Sequence, residues 1–174
     1  MIQHEDGTGR VDAVSFVSLA DADAYHALRV NTAWAAAEEP AREAALVKAT
    51  DWIVANFGEE WAGVQTFPLG LLPFPRTGLV NPATGYVYEL GEMPKAIVYA
   101  TCELALEALA GALYNNTNPG SPQVIEDTIG PITTKYNPRN PLDLTIERNF
   151  SFVRAILKPL LGSVGRPLLT LVRG

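Results

Sequence analysis

Cysteine is nearly absent from these 174 residues. Cys102 stands alone, so no disulfide can close within the chain. Histidine is scarce too: His4 lies in a polar stretch and His26 in a helix-forming one. No Cys or acid spacing joins either to a metal-site pattern. No uncharged run of about 20 apolar residues occurs, so no membrane span is expected. The start, Met1-Ile2-Gln3-His4-Glu5-Asp6-Gly7, has neither the basic start nor the apolar run of a signal peptide. A basic block is also missing. The chain holds 13 Lys and Arg against 19 Asp and Glu, a net charge of −6. Counterion release at Lys and Arg is the usual source of nucleic-acid affinity, so this balance disfavours a default nucleic-acid binder.

Catalytic patterns are equally lacking. There is no Walker loop and no Gly-x-Ser-x-Gly elbow, and Gly7-Thr8-Gly9 has no strand before it and no helix after it. Glu103 and Glu107 fall one turn apart on a helical face, where a solvated or interfacial stripe is the simpler reading. The expectation is a protein that is not an enzyme and uses no cofactor and no metal.

What is present points to a packed core. The chain is 48% hydrophobic and 18% charged, and Ala is a large share of the apolar fraction. That composition suits a globular fold of closely packed helices. The fold expected is mainly α, a small helical bundle with a long ordered loop, a short β element and an extended C-terminal tail. Residues 1–14 read as a flexible arm, 15–161 as the helical domain and 162–174 as the tail. The domain includes the loop 58–92 and an extended segment 122–136.

The helices announce themselves by caps and spacing. Ser18-Leu19-Ala20-Asp21 reads as a capping box opening a helix to about Arg29, with His26 on its surface. A short turn of helix follows around Ala33–Ala37. Pro40 opens the next, where Glu43, Leu46, Thr50, Ile53 and Phe57 recur at 3–4 spacing until Gly58 stops it. Pro94 opens the strongest, Met93–Leu113. It is apolar nearly all round and so should be central or covered by neighbouring subunits. A last helix is expected from about Ile146 to Leu161, with Pro159 bending or fraying its end. Trp34, Trp52 and Trp61 read as core residues.

Between the helices, Phe67-Pro68-Leu69-Gly70-Leu71-Leu72-Pro73-Phe74-Pro75-Arg76 crowds prolines and aromatics into an apolar stretch. Three prolines so close exclude a regular helix or central strand, yet the composition should pack as an ordered loop. Phe67, Phe74, Pro75 and Arg76 are its candidate subunit-contact residues. Arg76 reads either as an arginine bracing the core edge or as a partner for a neighbouring subunit's acid. After Gly162, Gly165 and Pro167 the tail carries Leu168, Leu169, Leu171, Val172 and Arg173. This apolar segment is suited to docking by strand addition or by filling a groove.

Several stretches, taken in order, carry a family resemblance. Ser15-Phe16-Val17-Ser18-Leu19-Ala20-Asp21-Ala22-Asp23-Ala24-Tyr25 resembles the opening of a family of tailed-bacteriophage head–tail connector (adaptor) proteins. Glu43-Ala44-Ala45-Leu46-Val47-Lys48-Ala49-Thr50-Asp51-Trp52-Ile53 is similar to its second helix. Phe74-Pro75-Arg76-Thr77-Gly78 resembles its Trp-Pro-Arg-x-Gly loop, with Phe in place of Trp. Met93-Pro94-Lys95-Ala96, Ile129-Gly130-Pro131-Ile132, Ala155-Ile156-Leu157-Lys158-Pro159-Leu160-Leu161 and Leu171-Val172-Arg173-Gly174 resemble its later elements. The likeness covers about residues 15–174.

This resemblance implies a virion subunit of the head–tail neck, assembled in the cytoplasm of a bacterial host. It implies a homo-oligomeric ring, commonly of twelve copies, below the portal protein. Such a ring extends the DNA channel, receives the tail or a stopper protein, and passes double-stranded DNA without specific binding. Within it, Leu168, Leu169, Leu171, Val172 and Arg173 would dock on the portal. Members also carry a label likening them to DnaT, a primosomal single-stranded-DNA-binding protein, which is the alternative reading. The acidic balance, and the lack of interleaved aromatic and basic residues, weigh against that alternative.

Overall fold

The structure is a computed structural model, and it describes residues 2–114, 126–129, 132–135 and 150–162. The described residues are mainly helical. The elements run α1 (Leu19–Ala27), α2 (Thr32–Ala36), α3 (Glu39–Phe57), β1 (Val64–Gln65), β2 (Arg76–Thr77), α4 (Lys95–Ala110), β3 (Glu126–Ile129), β4 (Ile132–Lys135) and α5 (Ser151–Leu157). A 3-10 turn at Lys158–Leu160 follows α5. The chain divides into two compact units, Met1–Gly111 with Phe150–Gly174, and Ala112–Asn149. In the second, β3 and β4 pair antiparallel, Glu126 with Lys135 through Ile129 with Ile132. They bracket the expected Gly130-Pro131 break and fall within the segment read as extended.

In the first unit the sequence signals act as anticipated. The Ser18 hydroxyl accepts the Asp21 amide at 3.0 Å and donates to the Asp21 carboxylate at 2.6 Å, so one of the free donors of α1 is satisfied. Pro40 lies in the first turn of α3 and Gly58 is its C-cap. Pro94 is the N-cap of α4. Pro159 turns the end of the last helix into 3-10 geometry, because its ring excludes a continued α-helical turn.

Helix α4 is the centre of this unit. It packs most extensively on α3, then on α5, and also touches α1 and α2. Ile97, Ala100, Cys102, Leu104 and Ala105 are fully buried along it. Its alanines allow the close approach that a helix surrounded by others needs. From α3 come Leu46, Ala49 and Ile53, and from α5 and its 3-10 turn come Val153, Leu157 and Leu160, all with no exposed surface. Each buried Leu or Ile contributes roughly 1.5–3 kcal/mol of transfer free energy. Trp34, Trp52 and Trp61 are all buried, as read from the sequence.

Two polar residues depart from their expected places. His26, expected on the surface of α1, is buried: its ring lies 4.3 Å from Trp34 and 5.3 Å from Tyr25, centroid to centroid. The short helix α2 swings Trp34 over it, a tertiary effect that periodicity within α1 does not encode. Glu5 lies in the stretch expected as a flexible arm, and it too is buried. Its carboxylate accepts the amides of Gly7, Gly9 and Arg10 at 2.8–3.0 Å. Gly9 adopts φ +73°, and a Cβ there would overlap the Phe67 ring. Residues 2–17 are therefore fastened to the body rather than loose.

Candidate interaction surfaces

The loop between α3 and α4 holds the four expected subunit-contact residues, Phe67, Phe74, Pro75 and Arg76. Its strands β1 and β2 pair antiparallel, Val64 with Thr77 and Gln65 with Arg76. A further bridge joins Val80 to Val87. The loop is ordered, as its composition suggested.

The expected contact residues themselves divide. Phe74 has no exposed surface; it meets Phe16 edge-on at 6.0 Å and Trp61 at 5.0 Å. Pro75, joined to it by a cis peptide, is buried as well. Phe67 is half-buried against Gly9. Arg76 turns inward. Its Nε donates to the Ala62 carbonyl at 2.7 Å, Nη2 to Gly63 at 2.8 Å and Nη1 to Pro73 at 3.1 Å. Partial burial holds its pKa below the ordinary arginine range. Of the two readings of Arg76, the geometry matches the bracing arginine. The tail residues Leu168, Leu169, Leu171, Val172 and Arg173 lie outside the described residues.

The loop exposes several large apolar side chains. Leu69 is 88% exposed, Leu90 73%, Val64 72%, and Leu71 and Val87 are well over half exposed. These side chains are spread over residues 64–90, and another chain that covered them would bury apolar surface. The sequence signal was the apolar loop itself, but the residues it turns outward include Val64, Leu69, Leu71, Val87 and Leu90, while Phe74 faces in.

The same loop forms one wall of a cleft of about 420 Å³ against α4 and the end of the last helix. Tyr86, Tyr88 and Tyr99 line it with Asn81, Glu92 and Lys95. Tyr86 and Tyr88 meet edge-to-face at 5.3 Å. The Tyr86 hydroxyl donates to Glu92 Oε2 at 3.0 Å, and that oxygen also accepts the Glu89 amide at 3.0 Å. Lys95 has no ion-pair partner among the described residues. The structure thus gathers three aromatic faces that are scattered in the sequence. Alternation in Tyr86-Val87-Tyr88 already put two of them on one side.

A second cleft, about 430 Å³, lies between α1, α2 and the start of α3. Asp23 closes its floor: Oδ1 accepts from Trp34 Nε1 at 2.7 Å and from Arg42 Nη1 at 2.6 Å. His26 contributes Nδ1, which pairs with the Asn31 amide at 2.8 Å. Its Nε2 is buried without a hydrogen-bond partner among the described residues. Desolvation holds the imidazole pKa below its usual value. Val30, on the rim, has φ +54°, an uncommon conformation for a β-branched residue.

Among the described residues the arginines are engaged within the protein. Arg10 pairs with Asp12, Arg29 with Glu103, Arg42 with Asp23 and Arg154 with Glu60. Arg29 also stacks over Tyr25 at 3.4 Å. Lys48, Lys95 and Lys158 have no ion-pair or hydrogen-bond partner among the described residues. No group of His, Cys, Asp and Glu among those residues is arranged to hold a metal.

A family model described as "Putative DnaT-like ssDNA binding protein" matches residues 2–174. The chain belongs to this family. No curated protein and no solved structure matches it. The family's description agrees with the alternative reading of the sequence, not with the connector reading. Against single-stranded DNA, the chemistry available in the described residues is the tyrosine cleft with Lys95. The arginines among the described residues are committed to internal partners.

Proposed function

We propose that this protein is a structural subunit that acts by contacting other protein chains, specifically as a head–tail connector ring of a tailed bacteriophage. The observation that carries this reading is the loop between α3 and α4, which is ordered yet turns Val64, Leu69, Leu71, Val87 and Leu90 to solvent. Oligomeric burial is the ordinary use of such a surface. The order of resemblances along residues 15–174 supplies the specific form of the assembly. The net charge of −6 suits a conduit that repels phosphates. The portal and a tail or stopper protein are its proposed partners.

The second reading is single-stranded-DNA binding, favoured by the family's description and by the three tyrosines of the cleft. Stacking on such faces is worth roughly 1–3 kcal/mol per base. The two readings separate in one pair of measurements at about 0.15 M salt, where exposed charges are screened beyond about 8 Å. The connector reading predicts concentration-dependent self-association by sedimentation velocity and only weak binding of a labelled oligothymidylate. A submicromolar dissociation constant for the oligonucleotide, with a chain that stays monomeric, would replace it by the second.

A further inference from the structure

The tyrosine cleft has the chemistry of a groove for an extended, proline-containing peptide. Flat aromatic faces accept proline rings, and polar groups between them bond the backbone carbonyls that a polyproline II strand leaves free. Tyr86, Tyr88 and Tyr99 supply the faces, and the Asn81 side-chain amide and Lys95 supply donors. Glu92 commits Oε2 to Tyr86 and the Glu89 amide, and leaves Oε1 without a partner among the described residues. With Glu89 beside it, this wall is acidic. A basic residue on a peptide is attracted to the Glu92 carboxylate.

The chain itself carries such a segment. Asn137-Pro138-Arg139-Asn140-Pro141 places two prolines three residues apart, the repeat of a polyproline II helix, with an arginine between them. We infer that the Tyr86–Tyr88–Tyr99 cleft of one copy receives the Pro138–Pro141 segment of a second copy, with Arg139 on Glu92. The inference deepens the assembly reading proposed above and rests on it.

The test uses the full chain. Sedimentation velocity over a concentration series reads self-association, and fluorescence anisotropy reads a labelled peptide of residues 135–142. Tyr86→Ala, at a half-exposed position, should weaken both by roughly tenfold, the scale of one interface anchor. Arg139→Glu and Glu92→Arg should each weaken self-association, and the double variant should restore it, which a purely structural role of Glu92 would not allow. Circular dichroism checks that each variant is folded.

Three results overturn the inference. If self-association persists unchanged in Tyr86→Ala and in both charge variants, the cleft is not the contact, although the assembly reading stands. A chain that stays monomeric and ignores the peptide sinks both. A monomer that binds the peptide in trans, or a cleft that takes oligothymidylate in competition with it, removes the second copy as occupant.

Discussion

Replacing Arg76 by Ala tests whether this arginine braces its loop or faces a neighbour. Its guanidinium donates to three backbone carbonyls, those of Ala62, Gly63 and Pro73. Hydrogen bonds from a charged donor contribute roughly 1.5–3 kcal/mol each when shielded, and about 1 kcal/mol or less where water substitutes. The Gly63 bond is exposed, and the other two are partly buried. Counting two partly shielded bonds and one replaceable by water, Arg76→Ala should cost about 2–4 kcal/mol. With a urea m-value of about 2 kcal/mol/M, the midpoint should fall by about 1–2 M. Trp61 is a natural reporter, since it contacts Phe74, over whose ring the Arg76 guanidinium lies at 6.0 Å. Arg76→Lys should recover only part of the loss, because one ammonium cannot span the three acceptors. A midpoint unchanged in Arg76→Ala, together with lost self-association, would refute the reasoning and return Arg76 to the subunit interface.

Other outcomes follow from single residues. Ser18→Ala should lower stability by about 1 kcal/mol in the same urea titration, since it frees the Asp21 amide at the start of α1. Burial pushes the Cys102 thiol up to about 12, so a thiol reagent at pH 8 should label the folded chain hardly at all and react fully once denaturant is added. Desolvation depresses the His26 pKa in the folded state, so its neutral form favours folding. Its stabilising effect is complete above about pH 6.5 and is lost as pH falls toward the lowered folded value. His26→Gln should flatten thermal stability between pH 6.5 and 5, above the range in which Asp6 and Asp12, whose pKa values are lowered, titrate.

The helices were legible because their signals are local. Ser18 with Asp21, Pro40, Pro94 and Pro159 act within one turn of where they stand, and the spacing from Leu46 to Phe57 repeats the period of α3. The polar interior was not. Glu5 is buried because a turn through Gly7 and Gly9 aims three amides at it, and nothing short of that turn distinguishes it from Asp6. His26 is buried because Trp34 arrives from another helix. In the loop, apolar composition revealed an ordered surface but not its orientation. The aromatics Phe74 and Trp61 won the interior because they bury more area than leucine does, which left Leu69 and Leu71 outside. The tyrosine cleft needed residues from both ends of the 86–99 stretch and from beyond α5, an association that one sequence does not disclose.

The closure of Gly9 on Phe67 has a consequence for how this unit opens. The Leu71 amide donates to the Arg10 carbonyl at 3.3 Å, while the Arg10 amide is held by Glu5. An opening that frees residues 67–71 must also release Arg10, and with it the carboxylate that gathers the amides of Gly7 and Gly9. Amide hydrogens at Gly7, Gly9, Arg10 and Leu71 should therefore exchange with solvent at one common rate, as a single cooperative element. A glutamine at position 5 would accelerate exchange at all four together, including the one more than sixty residues away along the chain.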